Sequence, residues 1–166
     1  MKKVLLLIIS VLFAIQSNAQ VQKEAPAVTI DSLSTKLAEL QHDYVSLYCD
    51  FELYRWKTDL DQLKQDIEIE GTKLASYMYT GTLSRDVYTV YSESYDVFCE
   101  LYDDIKSEFE VLGKPFVMDK ANTSGLTKVE LFRYDRIIEG IERSMEKVEL
   151  ALKHYDACLK IYRDNM

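Results

Sequence analysis

Proline and glycine are scarce in this chain: two and five among 166 residues. Long stretches therefore contain nothing that would interrupt a helix. Sustained period-two alternation is missing, which excludes a half-buried sheet. With only two histidines, most acid–base and metal schemes lack their usual donor. The chain has no GxGxxG or phosphate-cradling P-loop, no GxSxG elbow, no HExxH and no calcium-binding EF-hand loop. Its three cysteines, Cys49, Cys99 and Cys158, form no CxxC pair, zinc ribbon or CxxCH haem attachment. Nothing here assembles a catalytic constellation, so the expectation is a non-enzyme with no cofactor and no metal.

What is present begins with a greasy opening. Met1-Lys2-Lys3 is a short basic start, 4–15 is an apolar run broken only by Ser10, and Ser17-Asn18-Ala19 supplies small residues. This pattern resembles a bacterial export signal, of the Gram-negative kind in which Gln follows the cut. The resemblance implies cleavage between Ala19 and Gln20 and a mature protein in the periplasm or outside the cell. The run is too short and wrongly flanked for a membrane anchor, and no Cys follows Ala19 to carry a lipid.

The signal takes Lys2 and Lys3 with it. Twenty basic residues become eighteen against 28 acidic ones, a net charge of about −10. Such a surface repels nucleic acid and anionic lipid, whose binding needs Lys and Arg to neutralise phosphates. It would be drawn to basic surfaces, though acidity is also common in proteins that bind nothing charged. In an exported chain the thiols could pair, but their odd number leaves at least one unpaired within the chain. Both buried thiols and a Cys49–Cys99 bridge stay open.

Turn signals divide the remainder. The segment 20–29 reads as a flexible leader and 30–166 as one helical-bundle domain. Gly81 after Thr80 marks a helix stop, Ser84 with Asp86 a start, and Gly113 with Pro115 another stop. The stretch 114–126 reads as a loop, and Thr127 with Glu130 fits a capping box. The expectation is an all-α, antiparallel bundle of three long helices at 30–79, 84–113 and 127–164.

Apolar residues recur every three or four positions in each helix. The second carries Val87, Val90, Tyr91, Phe98, Leu101, Ile105, Phe109 and Leu112. The third carries Ile137, Ile141, Met145, Val148, Leu152, Tyr155, Leu159 and Tyr162. The first helix has two such seams. One runs Ile30, Leu33, Leu37, Leu40, Tyr44, Leu47, Phe51, Tyr54. The other runs Val45, Cys49, Leu53, Trp56, Leu60, Leu63, Ile67, Leu74. At about 100° per residue their centres lie roughly opposite. Either the helix bends near residue 55 and makes a four-helix bundle, or it runs straight between two neighbours, or one seam serves a second chain. No Pro or Gly near residue 55 supports a bend. A straight first helix of about 75 Å would overhang a second of about 45 Å, making self-association or a protein partner the expectation.

Several residues invite a functional reading beside a structural one. Glu39-x-x-His42 has the spacing of di-iron bundles, but His154 has Ala151 three residues before it and so no matching copy. Carboxylates gather at Asp59, Asp61, Asp66, Glu68 and Glu70, interleaved with Lys57 and Lys64 as on a solvated face. Tyrosine, twelve against one Trp, is the compositional excess. Tyr88, Tyr95 and Tyr102 recur every seven residues at the edge of the second helix's core face. That position suits internal boundary packing or a binding strip. Leu37, Leu40, Tyr44, Tyr88, Tyr95 and Tyr102 are accordingly the candidate interaction surface. Asp31-Ser32-Leu33 resembles the Asp-Ser/Thr-aliphatic acceptor of a bacterial periplasmic O-glycosylation system, which makes Ser32 a candidate modification site. Asn122-Thr123-Ser124 is a formal N-glycosylation sequon.

The function expected is a protein-interaction, scaffold, chaperone-like or toxin-neutralising module. The alternative is a bundle that holds a small ligand, lipid or metal in its core near Tyr44, Tyr48 and Trp56.

Overall fold

The computed structural model describes residues 27–82, 84–123 and 125–164, so the export signal and the Ala19/Gln20 cut lie outside the described residues. Three long helices dominate: α1 (Ala27–Thr80), α2 (Arg85–Glu108) and, after a junction, α5 (Lys128–Asp164). A π-helical turn, Phe109–Gly113, and two short helices, α3 (Lys114–Met118) and α4 (Lys120–Thr123), make the junction. No strand occurs among the described residues. The protein is an all-α bundle of three long helices. α1 is one helix of 54 residues with no interruption at residue 55, so the four-helix alternative does not apply.

Helix ends follow local chemistry. Gly81 takes a left-handed φ of 66°, and the amides of Gly81 and Thr82 bond back to the carbonyls of Met78 and Tyr77. That pair of bonds is a Schellman cap, which glycine closes without steric cost. The Ser84 hydroxyl accepts from the Val87 amide at the start of α2. Thr127 and Glu130 form the complete reciprocal box. The Thr127 amide donates to the Glu130 carboxylate at 2.7 Å, and the Glu130 amide donates to Thr127 Oγ1 at 3.3 Å.

Gly113 is a correction. It does not stop the second helix: its backbone is helical, with φ −75° and ψ −62°, and the chain continues into α3. The reason for glycine is proximity, since a Cβ there would lie 2.3 Å from Trp56 Cζ3. Pro115 does not stop the helix either. It sits in the first turn of α3, directly after the π-turn. Just before it, the Lys114 amide reaches back to the Phe109 carbonyl. This five-residue reach is the signature of a π-turn, which adds one residue to the helical cycle. The region 114–126, expected as a loop, is therefore mostly short helix.

The described residues divide into two units, the first ending at Gln41 and the second beginning at His42. In the second unit one seam of α1 is entirely core: Val45, Cys49, Leu53, Trp56, Leu60, Leu63, Ile67 and Leu74 are all buried. Against them pack Ile137, Ile138, Ile141, Val148, Ala151, Leu152, Tyr155 and Leu159 of α5 and Tyr91, Tyr102 and Phe109. Polar bonds fix the helices along this core. Ser144 donates to Asp61 at 2.7 Å, and the Tyr155 hydroxyl donates to the Tyr91 carbonyl at 3.1 Å.

The face of α2 is a second correction. Val90, Leu101 and Leu112, expected inside, are exposed, Leu101 at 46%, whereas Tyr102 is buried at 5%. The inward stripe runs instead through Tyr88, Tyr91, Tyr95, Phe98, Cys99, Tyr102, Ile105 and Phe109. Large rings span the gap to α5, and the phenol of Tyr102 finds Glu149 at 2.7 Å. Leucine at the neighbouring position has no such polar tether.

Candidate interaction surface

The other seam of α1 faces outward throughout. In the first unit Ile30, Leu33, Leu37 and Leu40 are exposed, and in the second unit so are Tyr44, Leu47, Phe51 and Tyr54. Their exposures lie between 42% and 69%. Isolated surface leucines need no explanation, but eight apolar side chains in one phase of one helix do. The same helix thus has a dry face and an apolar wet face, because α2 and α5 cover only one of its two seams.

In the second unit this face has well-defined borders. On one side Asp50 pairs with Arg133 at 2.9 Å. On the other, Arg55 bridges Glu52 at 2.8 Å and Glu108 at 2.9 Å. Glu108 also accepts from Trp56 Nε1 at 3.2 Å. The Arg55 hydrogen bond holds the Glu108 carboxyl below the usual carboxylate range. Tyr48 rests on Phe116, ring centres 4.1 Å apart. At the amino end of the second unit His42 lies 3.4 Å from Asp43 and 3.3 Å from Glu130. Hydrogen bonds to Asp43 and then Glu130 raise its pKa above the ordinary histidine value. Polar pairs around an apolar centre are the anatomy of a protein contact surface.

Leu37, Leu40 and Tyr44 lie on this face. Tyr88, Tyr95 and Tyr102 do not: they pack against the core, as the boundary-packing alternative has it. Tyr88 stacks on Tyr162 and Tyr95 on Tyr155, with centres 5.1 and 5.8 Å apart. Tyr102 is buried, and that burial raises its pKa first, with Glu149 adding to the effect. Their seven-residue recurrence marks internal packing. Leu47, Phe51 and Tyr54, which the spacing places in this seam though not among the candidate surface residues, lie on the same exposed face. Ser32 is exposed on the first unit. The side chain of Asn122 lies outside the described residues.

Other chemistry is dispersed. Asp61 is engaged by Lys57 and Ser144, Asp66 by Gln62, Glu68 by Lys64 and Glu70 by Lys73. Among the described residues no three His, Cys, Asp or Glu side chains gather as a metal set. Cys49, Cys99 and Cys158 are free thiols, and burial lifts Cys49 to about 11. Trp56 is buried and packed on Phe109 and Gly113. A groove of about 460 Å³ opens elsewhere, between α1 and α5, lined by Gly71, Ala75, His154, Tyr155 and Cys158 among others. Among the described residues no helix is long and apolar enough to cross a membrane.

No protein-family profile, curated protein or solved structure matches the chain.

Proposed function

We propose that this chain is an exported, non-catalytic interaction protein that works by presenting the outer seam of α1 to another protein, in a scaffolding, chaperone-like or neutralising role. The observation that carries the reading is the exposure of all eight seam positions. Leaving that much apolar surface in water costs free energy that a partner recovers on binding. The acidic charge, −8 over the whole sequence, argues against nucleic acid as the occupant. Export is supported by the composition of 1–19.

The test compares the intact chain with a Leu37→Lys/Leu47→Lys variant as bait in envelope extract of its own host. Both side chains are solvent-facing, so helicity by circular dichroism should be retained. The reading expects proteins held by the wild type to be released by the variant. Identical retention by both would refute it.

A further inference from the structure

The seam has the spacing of a coiled coil. Its steps run three, four, three, four, three, four, three, placing Ile30, Leu37, Tyr44 and Phe51 at a positions and Leu33, Leu40, Leu47 and Tyr54 at d positions. Bulk is distributed unevenly along it. Residues 30–40 contribute only Ile and Leu, whereas 44–54 contribute Tyr, Leu, Phe and Tyr.

We propose that a second copy of this chain covers the seam in antiparallel orientation, the aliphatic half of each copy lying on the aromatic half of the other; this rests on the seam being a contact surface. Centred near residue 42, the pairing sets Ile30 against Tyr54, Leu33 against Phe51, Leu37 against Leu47 and Leu40 against Tyr44, each layer doubled by symmetry. Every ring then meets an aliphatic side chain, and the layers keep similar volume. A parallel pair would stack Tyr44, Phe51 and Tyr54 on their own copies and leave the other end thin, forcing the helices to diverge.

Charge and area agree with this orientation. Lys36 is the one Lys or Arg between 24 and 54. It occupies the flanking g position that antiparallel pairing brings to Asp50 of the other copy. On the opposite flank Ser34 meets Tyr48. One contact is adverse: Asp43 meets its own copy near the twofold axis. With exposures between 42% and 69%, the eight residues leave on the order of 1,000 Å² per chain to be covered, comparable with the roughly 800 Å² that each partner buries in a stable interface. The surface is sufficient for a homodimer without help from α2 or α5.

The experiment uses the chain expressed with its own leader and purified after export. Light scattering across micromolar concentrations should give twice the chain mass for the wild type and the single-chain mass for Leu37→Lys/Leu47→Lys. Orientation is read by mild oxidation in a Cys99→Ser/Cys158→Ser background. A mixture of Leu37→Cys and Leu47→Cys chains should cross-link, and Leu37→Cys alone should not. Asp43→Asn should tighten the dimer a few fold, because the adverse pair at the axis loses its charge. A single-chain wild type overturns self-pairing, and cross-linking of Leu37→Cys to itself overturns the antiparallel arrangement. If the wild type has single-chain mass while Leu37→Lys/Leu47→Lys still abolishes extract capture, only the second copy falls. If neither mass nor capture responds to the variant, both readings fall.

Discussion

Gly113 shows how one missing atom can hold a junction together. Its backbone is helical, so alanine meets no torsional objection; the obstacle is the Trp56 ring, 2.3 Å from where the methyl would sit. Gly113→Ala should therefore destabilise by about 1–3 kcal/mol, as overpacking does, measured by urea unfolding followed by circular dichroism. In a Trp56→Leu background the same change should cost much less, since the two positions are in contact. His42 offers a second single-residue check. Its raised pKa means that its stabilising contribution is complete below about pH 6.5. That contribution is lost as pH rises through the higher folded value. Glu130→Gln keeps a capping side chain but removes a charge, so NMR titration should show the His42 midpoint fall. The sequence made both candidates visible, Gly113 as a turn and His42 as half of a metal motif. It could not give their roles in full, because the Trp56 ring that meets Gly113 and the Glu130 carboxylate that joins Asp43 at His42 lie far away along the chain.

At the scale of the element, caps were legible and faces only partly so. Gly81, Ser84 and the Thr127/Glu130 box are local devices whose partners lie within a few residues, and each occurs where its residue types predict it. The inward face of α2 is decided by what lies opposite: Tyr102 is buried and its hydroxyl donates to Glu149 of α5, while Leu101 is exposed. Leu101→Lys should consequently be tolerated, whereas Tyr102→Ala should cost about 3 kcal/mol or more, the range for deleting a large buried ring. Chemical unfolding of the two variants separates them. In α1 both seams were readable from spacing, but not which would be dry. That outcome depends on α2 and α5 having apolar stripes enough to cover only one.

The whole molecule should depend on acidity in a predictable sense. Glu108, Glu130 and Glu149 all ionise below the ordinary glutamate value, chiefly through hydrogen bonds from Arg55, the Thr127 amide and Tyr102 respectively. A depressed folded value gives stability that is full above the unfolded pKa of about 4.3. It is lost as pH falls through the lower folded values. Acid unfolding should therefore set in below about pH 4.3, and Glu149→Gln should flatten that limb of the stability curve. If two chains associate through the seam, the thermal midpoint of the wild type should also climb with protein concentration. That of Leu37→Lys/Leu47→Lys should not. A concentration-independent wild type would contradict the association.

The lone tryptophan has a practical consequence. Its indole is enclosed by Phe109 and Gly113 and tethered by its N–H to a carboxylate that Arg55 also grips. Excitation at the long-wavelength edge, where the indole absorbs and the twelve tyrosines do not, therefore interrogates a single address, where the first long rod meets the π-turn. Loosening there would shift emission to the red even while backbone ellipticity stayed constant.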